Sequence, residues 1–272
     1  MRTNVHEKGF QSGADKYAAY LETPEGRLRL DLAFANLQEF LPQGARPLRA
    51  LDIGCGTGAT AVRLARLGIH VMLLDSSSSM LDLAVRAAGE AGVADRVEWK
   101  HGDAAQLVRS FFGPESFDVV LCHNILEYVD DPVTVLRGAA RGLRNSAAIL
   151  SVLVRNRAGE VLKAAIQAGD LAAAEASLTA EWGHESLYGG KVRLFTSESL
   201  HAMLKAAELG VASERGIRVV SDYLPPRVSR DAEYERIFEL ERKLGRLPEF
   251  AAIARYTHCL AHRAAATMED GA

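Results

Sequence analysis

The chain has few cysteines and no long hydrophobic run among its 272 residues. Cys55, Cys122 and Cys259 are widely separated and form no C-x-x-C pair, which argues against a structural zinc site or a disulfide framework. No stretch of about 18 uninterrupted apolar residues is present that could span a bilayer. Residues 1–16 lack the apolar segment of a secretory signal. We therefore expect a cytoplasmic protein with no membrane association, no bound metal and buried thiols.

The sequence also lacks strong net charge, internal repeats and low-complexity linkers. The formal net charge of -3 supplies no global attraction to nucleic acid, although an acidic protein can still carry a local basic face. An apolar content of 48% is ordinary for a folded globular protein. These features predict one domain and leave the oligomeric state open.

A glycine-rich turn is the most informative feature that is present. Residues 48–53 form a short apolar run that ends in Gly54, Gly56 and Gly58, and residues 59–67 then have the pattern of an amphipathic helix. The pattern predicts a strand, a tight turn and a helix. Because glycine has no Cβ, it permits positive φ and lets a ligand approach the backbone closely. The turn is therefore predicted to be the floor of a ligand site.

Asp75 strengthens this interpretation. It ends the next predicted strand, residues 70–75, about 20 residues after the first glycine, where a carboxylate can accept hydrogen bonds from ribose hydroxyls. Asp52, just before the turn, could orient loop amides or meet an ammonium group of the ligand. A dinucleotide fingerprint would need glycine at Ala59, so a turn that grips pyrophosphate is disfavoured. The turn resembles the cofactor cradle of S-adenosyl-L-methionine-dependent methyltransferases.

Strands and helices are predicted to alternate along the rest of the chain, which implies a doubly wound, mostly parallel sheet with ligands at the carboxyl ends of its strands. The continuous apolar run 117–123 is expected to be a central strand that ends at His123. His123 faces the ligand or is an ordinary packed side chain. Asp103 closes another strand and either accepts a hydrogen bond from an adenine amino group or caps a helix over 104–110.

Two predicted helices lie outside this alternating core. Residues 28–40 form an amphipathic pattern, and residues 158–180 are alanine-rich. Both could roof the cofactor site or simply pack on the sheet. We expect a single domain over 1–272, divided into an N-terminal helical cap (1–45), a cofactor-binding core (46–155), a helical insertion (156–195) and C-terminal helices and strands that face the substrate (196–264).

The last third of the chain resembles the tRNA 5-carboxymethoxyuridine methyltransferase family. The resemblance rests on G-I-R-V-V-S-D-Y-L at 216–224 and A-R-Y-T-H at 254–258, and it extends from Lys16 to Arg263. It implies a class I methyltransferase fold, which is a Rossmann-like α/β sheet of seven mostly parallel strands with an antiparallel last strand. It also implies methylation of the carboxylate of a modified wobble uridine in tRNA, giving a methyl ester.

The resemblance also implies which residues bind S-adenosyl-L-methionine. Arg29 would clamp the methionine carboxylate, because a guanidinium matches a carboxylate with two parallel hydrogen bonds; the alternative is an ordinary surface arginine. The other implied cofactor residues are Gly54, Gly56, Asp75, Asp103, Ala104 and His123. Asp52, Cys55, Ser76 and Met80 complete the expected contacts.

No general base is expected, because an acceptor carboxylate is already ionised at neutral pH. The residues expected to orient it are Arg218, Tyr223, Arg255, Tyr256 and His258. The alternative is that these polar residues lie on the solvated face of late strands.

The acceptor and the class of protein have rival interpretations. Residues 182–193 replace a lysine-rich stretch that we associate with the tRNA-methylating family, and tRNA affinity depends on such cations. The partner is therefore either tRNA or a small-molecule acceptor such as a carboxylic acid. A nicotinamide oxidoreductase would use the same Asp75, but no catalytic Tyr-Lys or His arrangement is found for it. A non-catalytic RNA-binding or regulatory protein is the remaining alternative.

Overall fold

A computed structural model describes residues 5–44, 46–104, 116–185, 187 and 189–264, without the side chains of 5–8 and 11–12. The strands alternate with helices as the sequence predicts. They are β1 (Arg49–Ile53), β2 (His70–Asp75), β3 (Val97–His101), β4 (Val119–His123), β5 (Ile149–Arg155), β6 (Trp182–His184), β7 (Lys191–Arg193), β8 (Leu209–Ile217) and β9 (Tyr256–Arg263).

Seven of these strands form one sheet in the order β3-β2-β1-β4-β5-β9-β8, and β6 pairs with β7 in a separate hairpin. Pairing is parallel from β3 to β5, whereas β9 is antiparallel to both of its neighbours. The predicted seven-stranded fold with an antiparallel last strand is confirmed. β4 is the middle strand, and Val119 to Cys122 are fully buried because helices cover both faces of the sheet.

The helices pack on both faces of the sheet. They are α1 (Val5–Glu22), α2 (Pro24–Gln38), α3 (Ala59–Arg66), α4 (Ser78–Glu90), α5 (Pro132–Gly142), α6 (Arg157–Leu162), α7 (Leu171–Ser177), α8 (Ser197–Ala206), α9 (Tyr234–Leu244) and α10 (Pro248–Ala251). One core cluster joins α5 and α8 to the sheet, and a second joins α3 and α4 to the opposite face. None of the described helices has the length and apolar character needed to cross a membrane.

The helix predicted over 158–180 is wrong. α6 ends in a π-helical turn over Lys163–Gln167, Gly169 then adopts a left-handed φ of 65°, and α7 begins afresh. Asp170 is the N-cap of α7, because its carboxylate accepts a hydrogen bond from Ala173 N at 2.9 Å. The broken segment contributes none of the described residues that line the candidate cavity, which favours the alternative that it packs on the sheet.

α2 begins four residues earlier than predicted. Thr23 caps it, since its hydroxyl accepts a hydrogen bond from Gly26 N at 3.1 Å, and Pro24 occupies the first helical position. α1 and α2 meet at a sharp corner that requires glycine, because a Cβ on Gly26 would lie 2.0 Å from the Tyr20 carbonyl oxygen. The helix predicted over 104–110 lies outside the described residues beyond Ala104.

Candidate functional site

The glycine turn joins β1 to α3 and is tied to the end of β2. Gly54, Gly56 and Gly58 have φ values of 70°, 53° and 72°. A Cβ on Gly54 would also lie 2.8 Å from the side chain of Ile125. Gly54 N donates to the carbonyl oxygen of Leu74 at 2.7 Å. Backbone conformation and close approach therefore both explain why this turn needs glycine.

Asp75 lies at the carboxyl end of β2 and is held by backbone amides. One carboxylate oxygen accepts from Gly56 N at 2.8 Å and the other from Ser77 N at 2.9 Å. Burial raises the pKa of Asp75, and the bonds from these amides and from Ser76 act in the opposite direction. A carboxylate has about four acceptor positions, so these three amide bonds leave one for a ligand hydroxyl, as the predicted ribose contact requires.

The residues expected around Asp75 occupy the same edge of the sheet. Ser77 caps α4 by accepting from Met80 N at 3.3 Å, and Met80 is buried. Asp103 is exposed and Ala104 is buried, just beyond β3. Gly102 N donates to the Asp75 carbonyl oxygen at 2.9 Å, which brings this segment beside β2.

A cavity opens between the glycine turn, α1, α2 and the ends of β4 and β5. Its lining includes Tyr17, Arg29, Asp52, Gly54, Cys55 and His123. Five of these six were expected to contact the cofactor, and Tyr17 was not. Burial raises the pKa of the Cys55 thiol well above its usual range, so this side chain is neutral in the cavity wall.

Arg29 is buried in the cavity wall and is not a surface residue. Its guanidinium donates to Asn124 Oδ1 at 3.1 Å and to the Tyr17 hydroxyl at 2.8 Å. It also faces the rings of Tyr20 and Tyr256, at 5.2 and 5.6 Å from their centroids. No carboxylate in the described part of the chain forms an ion pair with it. Since a buried charge without an opposite charge is costly, the environment of Arg29 favours an anionic ligand.

Asp52 is the acidic counterpart of Arg29 in the same cavity. It is 3% exposed, and its carboxylate has no hydrogen-bond donor among the residues that the structure describes. Burial, together with the nearby charge of Asp75, raises the pKa of Asp52 to about 7. A cationic group in the cavity would stabilise its ionised form.

Sequence reasoning did not identify Asn124 and Glu127 as site residues. Asn124 has a left-handed φ of 54°, and its amide donates to Glu127 Oε1 at 2.8 Å while accepting from Arg29. Burial raises the pKa of Glu127, and its Oε2 has no hydrogen-bond partner among the described residues. The position of Asn124, directly after a strand end, was the available signal, since Asn tolerates the left-handed conformation.

His123 lines the cavity, but His258 does not. His123 Nε2 lies 2.8 Å from Ser151 Oγ, and burial followed by the charge of Arg29 lowers its pKa to about 3. His258 is 1% exposed and is enclosed between Ser151 and Asn36. The expectation that His258 orients the acceptor directly is therefore wrong, because both of its ring nitrogens contact other side chains.

Four arginines surround Tyr256 at the start of β9, and we call this group the arginine cluster. Its members are Arg29, Arg155, Arg218 and Arg255. Burial would raise the pKa of the Tyr256 phenol, but the four guanidinium groups together lower it to about 8. The charges of these guanidinium groups therefore outweigh the effect of burial on the phenol.

Three carboxylates pair with this cluster. Arg218 Nε donates to Asp222 Oδ1 at 2.7 Å, and Arg255 Nη1 lies 2.9 Å from Glu160 Oε1. Arg155 pairs with Glu160 at 3.3 Å and with Glu185.

Arg218 and Arg255 are both buried, so neither lies on a solvated face. Arg255 N donates to the Arg218 carbonyl oxygen at 2.9 Å, which joins the two segments that were expected to face the acceptor. Arg218 adopts a left-handed φ of 61°, a conformation that non-glycine residues keep when the surrounding structure enforces it. The Tyr223 hydroxyl is buried without a partner among the described residues, and burial raises its pKa to about 12.

Sequence comparison relates the chain to methyltransferases. A family model described as a methyltransferase domain matches residues 51–151. The chain is 28% identical over 267 residues to the tRNA 5-carboxymethoxyuridine methyltransferase of Escherichia coli K12, covering 95% of this chain and 97% of that protein. It is 33% identical over 178 residues to a ubiquinone biosynthesis O-methyltransferase of Xanthomonas axonopodis pv. citri, covering 60% of this chain and 70% of that protein.

Solved structures share the fold. The CcbJ methyltransferase from Streptomyces caelestis aligns with a TM-score of 0.64 at 20% identity, covering 96% of this chain and 99% of that one. The geranyl diphosphate C-methyltransferase from Streptomyces coelicolor A3(2) was solved with S-adenosyl-L-homocysteine. It aligns with a TM-score of 0.54 at 18% identity, covering 85% of this chain and 78% of that one.

Proposed function

The chain belongs to the class I S-adenosylmethionine-dependent methyltransferases, and from this premise we propose that it methylates a carboxylate, that of 5-carboxymethoxyuridine in tRNA. The observation that carries the carboxylate is the buried Tyr223 hydroxyl, which has no hydrogen-bond partner among the described residues and lies beside the buried guanidinium groups of Arg218 and Arg255. Similarity to the Escherichia coli tRNA enzyme over 95% of the chain supports the tRNA acceptor. With this acceptor the reaction takes place in the cytoplasm, the location that the sequence predicts.

The cavity fits the amino-acid end of the methyl donor. A buried cation without an acid, Arg29, and a buried acid without a donor, Asp52, line the same cavity and complement a zwitterion. Asp75 would accept hydrogen bonds from the ribose hydroxyls, and the glycine turn would form the floor. Ser76, Met80, Asp103 and Ala104 would contact the remaining nucleoside. Bound S-adenosylmethionine supplies a methyl group whose carbon is electrophilic because it is attached to a sulfonium sulfur.

The protein side chains then have to orient and desolvate the acceptor. An acceptor carboxylate has an ordinary pKa of about 4 and needs no base at neutral pH. Arg218 and Arg255 favour an anion at the cluster, and the unpartnered Tyr223 hydroxyl can donate a hydrogen bond to it. Proximity and the removal of water from the nucleophile supply the rate enhancement.

A small-molecule carboxylate or another metabolite is the second candidate acceptor. The 33% identity with a ubiquinone biosynthesis O-methyltransferase supports a small-molecule acceptor. The β6–β7 hairpin carries only Lys191 and Arg193 as Lys or Arg side chains among its described residues, and Arg193 stacks on Trp182, 4.7 Å from the ring centroid. Such an acceptor would use the same arginine cluster without RNA contacts.

Methyl-labelled S-adenosylmethionine and bulk tRNA distinguish the two acceptors. We expect label in the tRNA fraction, and we expect mild alkali to release it, because esters hydrolyse under conditions that leave methylated bases and riboses intact. Alkali-stable label would contradict a carboxylate acceptor, and absence of label from tRNA would favour the small-molecule acceptor.

Substitutions in the arginine cluster test the proposed orienting role. We expect R255K to reduce methyl transfer about tenfold or more, since lysine cannot reproduce the planar fork of arginine. The affinity for S-adenosylhomocysteine, measured by calorimetry, should not change. The matched control is R242K, because Arg242 forms an exposed ion pair with Glu239 on α9 at 3.3 Å. Wild-type turnover in R255K would remove Arg255 from the acceptor site.

Asp52 predicts opposite pH trends for stability and for ligand binding. The pKa of Asp52 is about 7 in the folded protein, above its ordinary value of 3.8, so the folded state binds this proton more tightly than the unfolded state. The free energy of unfolding therefore falls as the pH rises between these two values. Ionised Asp52 attracts the ligand ammonium group, so affinity for S-adenosylhomocysteine should rise over the upper part of the same range.

Thermal unfolding and calorimetry across this pH range measure both trends. D52N should flatten both profiles, because its amide does not titrate. Identical pH profiles for wild type and D52N would show that Asp52 does not carry the effect.

A further inference from the structure

Five side chains form a continuous line of hydrogen bonds from the edge of the sheet to the cavity. We call it the relay: Arg215, Asn36, His258, Ser151 and His123. The successive distances are 2.9 Å from Arg215 Nη1 to Asn36 Oδ1, 3.3 Å from Asn36 Nδ2 to His258 Nδ1, 2.8 Å from His258 Nε2 to Ser151 Oγ, and 2.8 Å from Ser151 Oγ to His123 Nε2. The three middle residues are each no more than 4% exposed.

The direction of these bonds is set at the outer end. A guanidinium has donors and no acceptor, so Asn36 must present its oxygen to Arg215. The other arm of Arg215 donates to Glu39 Oε2 at 2.7 Å, which holds the guanidinium in place. With its oxygen committed, Asn36 donates from Nδ2 to His258 Nδ1. A neutral imidazole that accepts at Nδ1 carries its proton on Nε2.

The same logic continues to the cavity. His258 donates from Nε2 to Ser151 Oγ, which leaves the single hydroxyl hydrogen of Ser151 for His123 Nε2. His123 therefore accepts at Nε2 and carries its proton on Nδ1. Both imidazoles are neutral, because burial lowers the pKa of His123 to about 3 and that of His258 well below its usual range. The charges of Arg29 beside His123 and of Arg215 near His258 also disfavour an imidazolium.

We propose that Arg215, Asn36, His258 and Ser151 are positioning residues that hold His123 in its Nδ1–H tautomer. His123 lines the cavity, and its Nδ1 has no hydrogen-bond partner among the described residues, so it can donate to a ligand there. The ligand recognised must therefore offer an acceptor atom at this wall. The identity of that ligand rests on the proposed function, whereas the tautomer is a property of the chain alone.

Nitrogen-15 NMR of the histidine rings tests the tautomer without any ligand, since protonated and unprotonated ring nitrogens have clearly different shifts. H123Q identifies the signals of His123 among those of the eight histidines. We expect wild-type His123 protonated at Nδ1 and His258 protonated at Nε2. A His123 protonated at Nε2 would overturn the proposal.

Two variants break the relay at different points. S151A removes the link to His123, and R215L releases the Asn36 amide at the less buried outer end. In both, we expect His123 to populate a mixture of tautomers. The matched control is R246L, because Arg246 pairs with the same Glu39 but does not contact Asn36. A pure Nδ1–H tautomer that persists in both S151A and R215L would show that the relay does not set it.

Calorimetry with S-adenosylhomocysteine then connects the tautomer to binding. We expect about a tenfold loss of affinity in S151A and R215L and no loss in R246L, the effect of one misdirected hydrogen bond. Failure of every variant and of the wild type to bind would contradict the proposed function and leave the tautomer result intact. Full affinity in variants with mixed tautomers would overturn the donor role of His123.

Discussion

R29M is expected to weaken the binding of S-adenosylhomocysteine by about 100-fold or more. In the proposed clamp Arg29 donates two charge-assisted hydrogen bonds to the ligand carboxylate, each contributing about 1.5–3 kcal/mol, and the substitution would remove both. R29K retains the charge but loses the fork, so we expect an intermediate loss. Calorimetry measures all three affinities.

R29M should have little effect on the stability of the ligand-free protein. Arg29 is a buried cation without an acid among the described residues, so its desolvation cost opposes the hydrogen bonds that it makes to Tyr17 and Asn124. The thermal midpoint of R29M should therefore change little. The matched control is R63M, which removes an arginine that pairs with Asp31 at the surface of α3 and should bind normally. Wild-type affinity in R29M would contradict the clamp.

G26A is expected to destabilise the protein by about 3 kcal/mol or more, at the upper end of overpacking effects. Helix propensity alone predicts the opposite sign, because alanine is favoured over glycine by about 1 kcal/mol. The steric clash outweighs helix propensity here, because the added Cβ would lie 2.0 Å from the Tyr20 carbonyl oxygen and 2.8 Å from Leu21 Cα. Both are backbone atoms, which cannot move away by a change of rotamer. α1 has to move, and Tyr17 moves with it, so ligand affinity should fall as well.

G89A is the matched control for G26A. Gly89 is also helical, near the end of α4, but nothing lies within 4 Å of a Cβ built there. We expect G89A to stabilise the protein by about 0.5–1 kcal/mol and to leave binding unchanged. Denaturant unfolding compares the two variants directly. Equal stabilisation by both substitutions would show that the corner between α1 and α2 is not close-packed.

Much of the fold was predictable because its signals are local. The apolar runs that end at Ile53, Asp75 and His123 specify strands through burial, and the glycine turn specifies its backbone through the missing Cβ. The carboxyl ends of parallel strands meet at one edge, so the cavity followed from the order of the elements. The break at Gly169 and Asp170 was missed because alanine content outweighed a stop and start signal of two residues.

The tertiary structure set how deeply each polar side chain of the site is buried and which groups it contacts. Tyr256 and His258 are two residues apart and share a face of β9, yet one lies among the arginines and the other lies one step deeper, against Ser151. The burial of Arg29 likewise depends on Asn124 and on Tyr256 of β9, which are distant from it in sequence. Local patterns predicted β1 to β5, the glycine turn and the acid that follows it, because each of these features depends on neighbouring residues. Only the packed structure decided which polar side chains are unpaired in the cavity, because a partner is set by distance in space.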